Sequence, residues 1–430
     1  MTQSRRKFIK QSIGALATVT IVPRYVLGGP GHTAPSDKIN LGFIGTGKQG
    51  LGLGKRFLEL DDIQLIAGSD VDQLKLERFQ QVTENFYAGK SGKSTYKGCA
   101  IHEDYGDVLS IPDLDAVVIS TPDHWHAKPV IDSAKEGKDI FCEKPLSHTI
   151  KEGRAMVKAV RKHNRILQTG SMQRSWENFR KACELVRNGY IGDIKNIKVS
   201  VGDPAIACDL PAEPVPREVN FDKWLGPAPL RPYNSIICPP ISDDGWAMWR
   251  NYREYGGGIF SDWGAHMFDI AQWAIGMDES GPVEVTPPDG KDFPYLTYRY
   301  ANGITMTHEN FGKGHAVMFE GSEGTIEISR SFFNSKPKNL VNQKLKPNEV
   351  HLYKSENHYL DWIQSIRTRK LPICDVETGH RTATICHLGN IAYQLKRPLR
   401  WDPVKEKFAD DKEANSLRTK KMRKPYKVPV

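Results

Sequence analysis

The hydrophobic positions change period sharply between residues 39 and 60. An apolar run, Ile39, Leu41, Phe43 and Ile44, gives way to a glycine cluster, Gly45, Gly47 and Gly50, and then to a stretch compatible with a helix up to Leu60. That order predicts strand, tight turn, helix. A second apolar run at 64–67 ends in Gly68, Ser69 and Asp70, and further runs at 116–119 and 140–142 are separated by a helical stretch at 127–136. Continuous apolar runs of this kind predict parallel strands covered on both faces. Beyond residues 167–172 the pattern changes. A helix is expected at 178–189 and a strand at 193–201, followed by a proline-rich stretch at 204–240 too long for an ordinary connection. It reads either as a substrate-side insertion or as an arm packed on a neighbouring subunit. Strand-like runs recur at 296–300, 304–309, 316–320 and 325–329, with helices at 359–368 and 379–395. The expected fold is α/β: a doubly wound parallel sheet at 35–170, then an α+β domain at 171–403 with an open, mainly antiparallel sheet. A basic tail is expected at 404–430, extended or mobile after Asp410.

At 430 residues, with 39% hydrophobic and 26% charged positions, the chain can bury two sizeable cores. Its formal charge of +9 misleads. Arg5, Arg6, Lys7 and Lys10 at the start, and Arg418, Lys420, Lys421, Arg423, Lys424 and Lys427 at the end, exceed the whole excess, so the body between them is nearly neutral. No basic stripe interleaved with aromatics marks a nucleic-acid partner. The seven cysteines are odd in number and never form a C-x-x-C pair, which excludes a disulfide frame or zinc site and predicts small buried hydrophobes. Residues 4–10 carry Ser4, Arg5, Arg6, Lys7, Phe8, Ile9 and Lys10 ahead of a weakly apolar stretch at 13–22. This resembles a twin-arginine (Tat) export signal with Ile9 in place of leucine, and implies a leader over 1–34, the export machinery as a partner and a periplasmic or otherwise exported protein. No later segment is long and apolar enough to span a membrane.

The glycines have the G-x-G-x-x-G spacing of a dinucleotide-binding Rossmann turn. Gly45 permits the tight turn, Gly47 lets a pyrophosphate approach the backbone, and Gly50 lets helix and strand pack closely, while the helix start offers free N–H groups to the anion. Asp70, twenty residues beyond Gly50, is placed to accept hydrogen bonds from the ribose hydroxyls and to repel a 2′-phosphate, favouring NAD over NADP. Asp72 and Arg78 lie close by, and Asp72 suits a helix N-cap. Ser120, Thr121 and Pro122 end one later strand, and Glu143, Lys144 and Pro145 end the next, so both groups belong on the same carboxyl edge as the glycine loop.

These motifs together, the glycine loop, Thr121-Pro122 with His126 beyond it, and Glu143-Lys144-Pro145, resemble the glucose–fructose oxidoreductase/inositol dehydrogenase (Gfo/Idh/MocA) family. A second signature from Gly256 to Asp269, containing Asp262 and His266, resembles the family's G-G-G-x-x-x-D-x-G-x-H-x-x-D. The resemblance implies NAD held against Gly45, Thr46, Gly47, Lys48, Gln49, Gly50, Asp70, Ser120, Thr121, Pro122, His126, Glu143 and Lys144. It also implies Lys144 beside nicotinamide and substrate, and subunit contacts through the open sheet of a dimer or tetramer. Spacing adds that Asp262 and His266, four apart on a helix, share one face. Oxidising an alcohol needs a base for the hydroxyl proton and a charge for the developing alkoxide. His266, with an ordinary pKa of about 6.5, suits the first role, and Lys144 the second. Asp262 is expected to bind a neighbouring hydroxyl, and the lysine to keep the imidazole neutral.

Gln173 and Arg174 are further expected substrate contacts, following the point where the chain leaves the first domain. Trp249 and Arg250 read either as a wall for a sugar ring or as a structural corner. The trio His124, Trp125 and His126 lacks a carboxylate or cysteine at ligand spacing, so no metal is expected. His380 reads as a surface histidine. The leading function is NAD-dependent oxidation of a secondary alcohol on a sugar, glycoside or inositol. Its rivals are an NAD-dependent glycoside hydrolase, working by transient oxidation and elimination, and a non-catalytic sugar- or dinucleotide-binding protein.

Overall fold

In a computed structural model, which describes residues 37–243 and 245–430, the early apolar runs pair into a six-stranded sheet. The expected leader with Arg5 and Arg6 lies outside the described residues. The chain runs β1 (Ile39–Ile44), α1 (Lys48–Leu58), β2 (Ile63–Ser69), α2 (Gln73–Ser91), β3 (Ala100–His102), α3 (Tyr105–Leu109), β4 (Ala116–Ile119), α4 (Ala127–Lys135), β5 (Asp139–Cys142), α5 (Ile150–Lys162) and β6 (Leu167–Thr169). All pairings are parallel, in the order β3-β2-β1-β4-β5-β6. Every residue of β4 and β5 is buried, as their apolar runs at 116–119 and 140–142 require, and Asp139 at the start of β5 is paired with Arg369. Asp72 caps α2, accepting from the Lys75 N–H at 3.2 Å. The order reverses between β1 and β4, and at such a switch point the connections diverge and leave a crevice.

The second sheet has nine strands. After α6 (Glu177–Arg187) and β7 (Ile194–Ser200) come the short α7 (Phe221–Leu225) and the long α8 (Gly258–Ile275). Then follow β8 (Glu284–Thr286), β9 (Leu296–Arg299), β10 (Thr305–His308), β11 (Ala316–Gly321), β12 (Thr325–Ser329), β13 (Phe333–Lys336), α9 (His358–Thr368), α10 (Val376–Leu395), β14 (Leu399–Asp402), β15 (Lys407–Phe408) and α11 (Lys412–Ser416). Only β7 and β10 pair in parallel, so the sheet is mixed and mainly antiparallel. One face packs on α6, α8 and α10 through Phe179, Leu185, Met267, Phe268, Ile385 and Leu388, against Ile197, Val199, Val317 and Ile326. Each such side chain contributes about 1.5–3 kcal/mol by leaving water. Helix α8 is apolar nearly all round because it is buried nearly all round, and only its first turns reach the crevice of the first sheet. All seven cysteines are buried and free.

Two expectations fail here. His380 is fully buried, with Nε2 2.6 Å from Glu406 Oε1, because α10 is enclosed on its polar side by Arg154, Glu377 and Glu406. The basic tail is not extended. Lys420 Nζ lies 2.7 Å from His148 Nε2, Arg423 bonds to Asp222 Oδ1 at 2.6 Å and to the Gly226 carbonyl at 2.8 Å, and Tyr426 sets its ring edge-on to Trp125 at 5.2 Å. Those acceptors hold the end of the chain down. The stretch at 204–240 packs on the chain's own first sheet: Asn220 N–H donates to the Val71 carbonyl at 2.8 Å, and the Trp224 carbonyl accepts from Trp125 Nε1 at 2.8 Å. Among the described residues no helix is long and apolar enough to cross a membrane.

Candidate active site

A cleft of about 860 Å³ opens at the carboxyl ends of β1 and β4 and extends to the start of α8. Its first wall is the glycine loop. Gly45 has φ +88°, and a Cβ there would lie 2.9 Å from the Ser120 backbone, whereas a Cβ on Gly47 would meet nothing within 4 Å. The first glycine is therefore forced by the turn and the second leaves open space. Gly47 stands at the N-cap of helix α1 and offers no side-chain cap, a helix start of the kind that receives an anion. This cradle fits a dinucleotide pyrophosphate. Gly50 stands behind it, packed on the Gly45 carbonyl.

Asp70 lies at the expected place beside the cleft. Its Oδ2 accepts from Thr46 N–H at 2.7 Å and from Thr46 Oγ1 at 3.1 Å, and its Oδ1 from Asp72 N–H at 3.1 Å. Thr46 is fully buried and acts on the loop through Asp70 rather than lining the cleft. Burial pushes the Asp70 carboxyl above the usual range, against the Thr46 N–H that favours its charge. Lys48, Gln49, Ser120, Thr121 and Pro122 line the cleft, and Ser120 Oγ donates to the Gly45 carbonyl at 2.7 Å. Glu143 lines it too, accepting from Gln49 Nε2 at 3.0 Å, which couples the glycine loop to the end of β5.

The opposite wall gathers the three residues expected to carry chemistry. Lys144 Nζ donates to Asp262 Oδ1 at 2.6 Å and to the Asp262 carbonyl at 3.1 Å, joining the end of β5 to α8. Arg250 Nε is 3.3 Å from the same Oδ1, and its guanidinium lies over Trp249 at 4.3 Å and Trp246 at 5.2 Å. Burial opposes the Asp262 charge, but Lys144 and then Arg250 hold its pKa down to about 2. One turn on, His266 lines the cleft while only 5% exposed, and its Nδ1 has no hydrogen-bond partner. Burial, then the charges of Lys144 and Arg330, keep the ring neutral far below the ordinary imidazole range. A carboxylate, an ammonium and a neutral imidazole thus face one space, a set able to bind vicinal hydroxyls and move a proton.

Three sequence assignments change. Arg174 is sealed in the core: its guanidinium bonds to Asp269 at 2.8–3.0 Å and to Asp278 at 2.7 and 3.2 Å, leaving nothing for a substrate. Gln173 does not line the cleft; its Oε1 accepts from Arg330 Nε at 3.0 Å, so it holds a residue that does. His126 does not line it either. Its ring nitrogens each lie 2.9 Å from a carbonyl oxygen, of Thr121 and of Pro145, and it fastens the two turns together. His124 is tucked under the Trp224 carbonyl at 3.0 Å.

Residues that the motifs did not indicate also line the cleft. The stretch from Ile237 to Pro240 comes from the proline-rich arm, Ile241 and Trp246 from the residues that follow it, Tyr426 from the chain end, and Arg330 from the turn after β12. Trp263 stacks on His315 at 3.8 Å, and its position three residues before His266 on α8 was the only local signal for it. Asp123, 5% exposed, follows Pro122; burial and then the Asp262 charge push its pKa up to about 8.

Comparison with known proteins follows the same division. Residues 39–171 match the model of an oxidoreductase family's NAD-binding Rossmann fold, and residues 205–428 that of an oxidoreductase family's C-terminal alpha/beta domain. The chain is 26% identical over 302 residues to a myo-inositol 2-dehydrogenase of Thermotoga maritima, covering 67% of this chain and 74% of that one. It is 37% identical over 142 residues to a glycosyl hydrolase family 109 protein of Shewanella pealeana, covering 32% and 30%. Its fold matches the WlbA dehydrogenase from Bordetella pertussis, crystallised with NADH and UDP-GlcNAcA, with a TM-score of 0.56 at 17% identity over 85% of this chain and 99% of that one.

Proposed function

This chain belongs to the Gfo/Idh/MocA oxidoreductase family, and from that premise we propose that it transfers hydride between NAD and a secondary alcohol of a sugar, glycoside or inositol. The observation that carries the reading is the Lys144–Asp262 pair, 2.6 Å apart, beside the neutral imidazole of His266 and across the cleft from the glycine cradle. NAD, when bound, supplies the hydride acceptor. The chain does the rest. His266 takes the hydroxyl proton as the alcohol is oxidised, and Lys144 stabilises the charge that develops on its oxygen. Asp262, held ionised, accepts a hydrogen bond from a neighbouring hydroxyl and fixes the ring, while Trp249 and Arg250 form its side wall. Asp70 favours NAD over NADP; equal affinity of the wild type for both dinucleotides rejects this.

One observation favours glycoside cleavage as a second reading. Asp123 is a neutral carboxyl at neutral pH in the same cleft and can give its proton to a leaving oxygen. Oxidation next to the scissile position would acidify a C–H, loss of that proton would expel the aglycone with Asp123 protonating its oxygen, and water would add to the resulting double bond. NAD, when bound, would supply the transient oxidation and its reversal. The relatives named glycosyl hydrolase family 109 fit this course. Mass spectrometry of whatever the purified protein releases on denaturation, followed by a glycoside screen, separates the readings. Net NAD reduction supports the dehydrogenase, and aglycone release with catalytic NAD the hydrolase. Dinucleotide or sugar binding without turnover of any substrate leaves a binding protein.

We also propose export through the twin-arginine pathway, motivated by Arg5 and Arg6, and a dimer or tetramer built on the open sheet. Unchanged export of Arg5→Lys/Arg6→Lys in cell fractionation, and a monomer by light scattering, overturn them respectively.

A further inference from the structure

Arg330 is held in an unusual way. Its guanidinium lies 4.5 Å over the ring of Trp263 and 5.5 Å over that of Trp176, and its Nε donates to Oε1 of the buried Gln173 at 3.0 Å. Two aromatic faces and one hydrogen bond thus fix the plane of the fork; Arg330 lines the cleft, its charge acts on His266, and its two terminal nitrogens make no hydrogen bond among the described residues. No carboxylate oxygen of the described residues lies within 4.0 Å of it. Asp262 and Glu143 act on it only at a distance, and both are already engaged, Asp262 by Lys144 and Arg250, Glu143 by Gln49.

The charge balance around the reacting centre points the same way. Three cations, Lys144, Arg250 and Arg330, face the carboxyl groups of Asp262 and Glu143, with Asp123 neutral below about pH 8. Lys144 and Arg250 share Asp262, Glu143 bonds to Gln49, and Arg330 alone is left without a paired carboxylate among the described residues. A planar, preorganised guanidinium with two free N–H edges is the natural partner of a carboxylate, which it meets through two parallel hydrogen bonds. An ordinary surface arginine forgoes this fixed geometry because ordering a long side chain costs rotamer entropy. We propose that Arg330 binds a carboxylate on the substrate, so that the preferred substrate is an acidic sugar rather than a neutral one. This rests on the oxidoreductase reading and narrows its substrate class.

The test uses the purified full-length protein loaded with NAD, and matched pairs that differ only in the acid: glucose with glucuronate, and galactose with galacturonate. Glucose 6-phosphate serves as a non-planar anion. Binding is read from the fluorescence of Trp246, Trp249 and Trp263 and from calorimetry. At least one acid binds tenfold or more tighter than its neutral partner, and that ratio falls toward one in Arg330→Gln. It is intermediate in Arg330→Lys, which keeps the charge and loses the fork. The ratio also shrinks as salt is raised, a measurement on the wild type that does not depend on a variant folding. No acid preference in either pair, an unchanged ratio in a folded Arg330→Gln, or the phosphate binding more tightly than both acids overturns the proposal. The outcomes for the two readings are separable. NAD-dependent oxidation of neutral sugars without acid preference sinks this inference alone, whereas acid-selective binding by a protein that takes up no dinucleotide sinks the oxidoreductase reading and leaves it standing.

Discussion

Asp262 and Asp269 sit seven residues apart on helix α8, about two turns, and each meets a cation from the segment between β5 and α6. The resemblance ends there. In the Lys144–Asp262 pair the side chains keep 14% and 16% of their exposure, and both line the cleft. In the Arg174–Asp269 pair they keep 2% and 1%, and Asp278 and Thr382 complete the hydrogen bonding. Burial opposes both charges of the sealed pair, yet Asp269 and Asp278 hold Arg174 protonated throughout. One ion pair is open to a ligand and the other is saturated. Charge and spacing alone do not distinguish a functional pair from a structural one; what remains unsatisfied does.

The comparison predicts opposite signatures for breaking the two pairs. At the open site, His266→Ala removes a base, a change that typically costs 10² to 10⁴ in rate. It leaves NAD binding intact, because His266 lies outside the glycine-loop wall. Lys144→Met likewise abolishes turnover, and the double variant is little worse than either, as for groups acting as a unit. Because the wild-type imidazole stays neutral far below 6.5, no acidic limb from His266 appears in the rate profile near that pH. Full turnover of His266→Ala at saturating substrate breaks the assignment.

At the sealed site, Arg174→Ala leaves Asp269 buried without its counter-charge and costs about 3–5 kcal/mol of stability. Chemical denaturation checks it, and a loss under 1 kcal/mol means that the pair is less sealed than its geometry indicates.

Asp123 refines the contrast, being a buried carboxyl in the cleft that makes no ion pair with the described residues. Its folded pKa of about 8 exceeds the unfolded value of about 3.8, so its full contribution to stability exists only below the latter and is lost as pH rises through the former. Asp123→Asn therefore melts higher than the wild type at pH 8–9, and the gap narrows steadily as pH falls toward 4. A gap that does not vary between pH 5 and 8 shows the carboxylate to be ionised in the fold.

The glycine cradle, the strand-end turns and the Asp262–His266 face were legible in the sequence because each is local: spacing within one turn or one helix fixes its geometry. Arg174 was misread for the opposite reason. Asp269 and Asp278 lie 95 and 104 residues away, and nothing near Arg174 announces them. His380 is a smaller case, its partner Glu406 lying 26 residues downstream. Arg330, Trp246 and Tyr426 reach the cleft from a strand turn, the residues that follow the proline-rich arm and the chain end, all delivered by tertiary packing. The short strands β3, β6, β8, β13, β14 and β15 were missed because two to four residues carry too little periodicity to register.

The smallest effect is the sharpest test. Asp262→Asn is nearly isosteric and removes one charge from the open pair, as Asp269→Asn does from the sealed one. In the open pair, Lys144 and Arg250 then lose their shared anion, but the cleft admits some water to both, so the loss should be about 2 kcal/mol, the size of the Asp262 pKa shift. The pH dependence agrees in sign. The Asp262 pKa is lowered to about 2 from 3.8, so its contribution is present above 3.8 and fades only as pH falls through about 2, which makes the effect constant between pH 5 and 9. In the sealed pair no water replaces the lost charge, and Arg174 keeps only Asp278, so Asp269→Asn should cost more, toward the roughly 3–5 kcal/mol of a broken buried pair. The two substitutions, made on one helix and followed by the same denaturation curve, isolate solvent access as the variable. If Asp262→Asn destabilises as much as Asp269→Asn, the pair at the cleft is a structural clamp, and the substrate-binding role assigned to Asp262 fails with it.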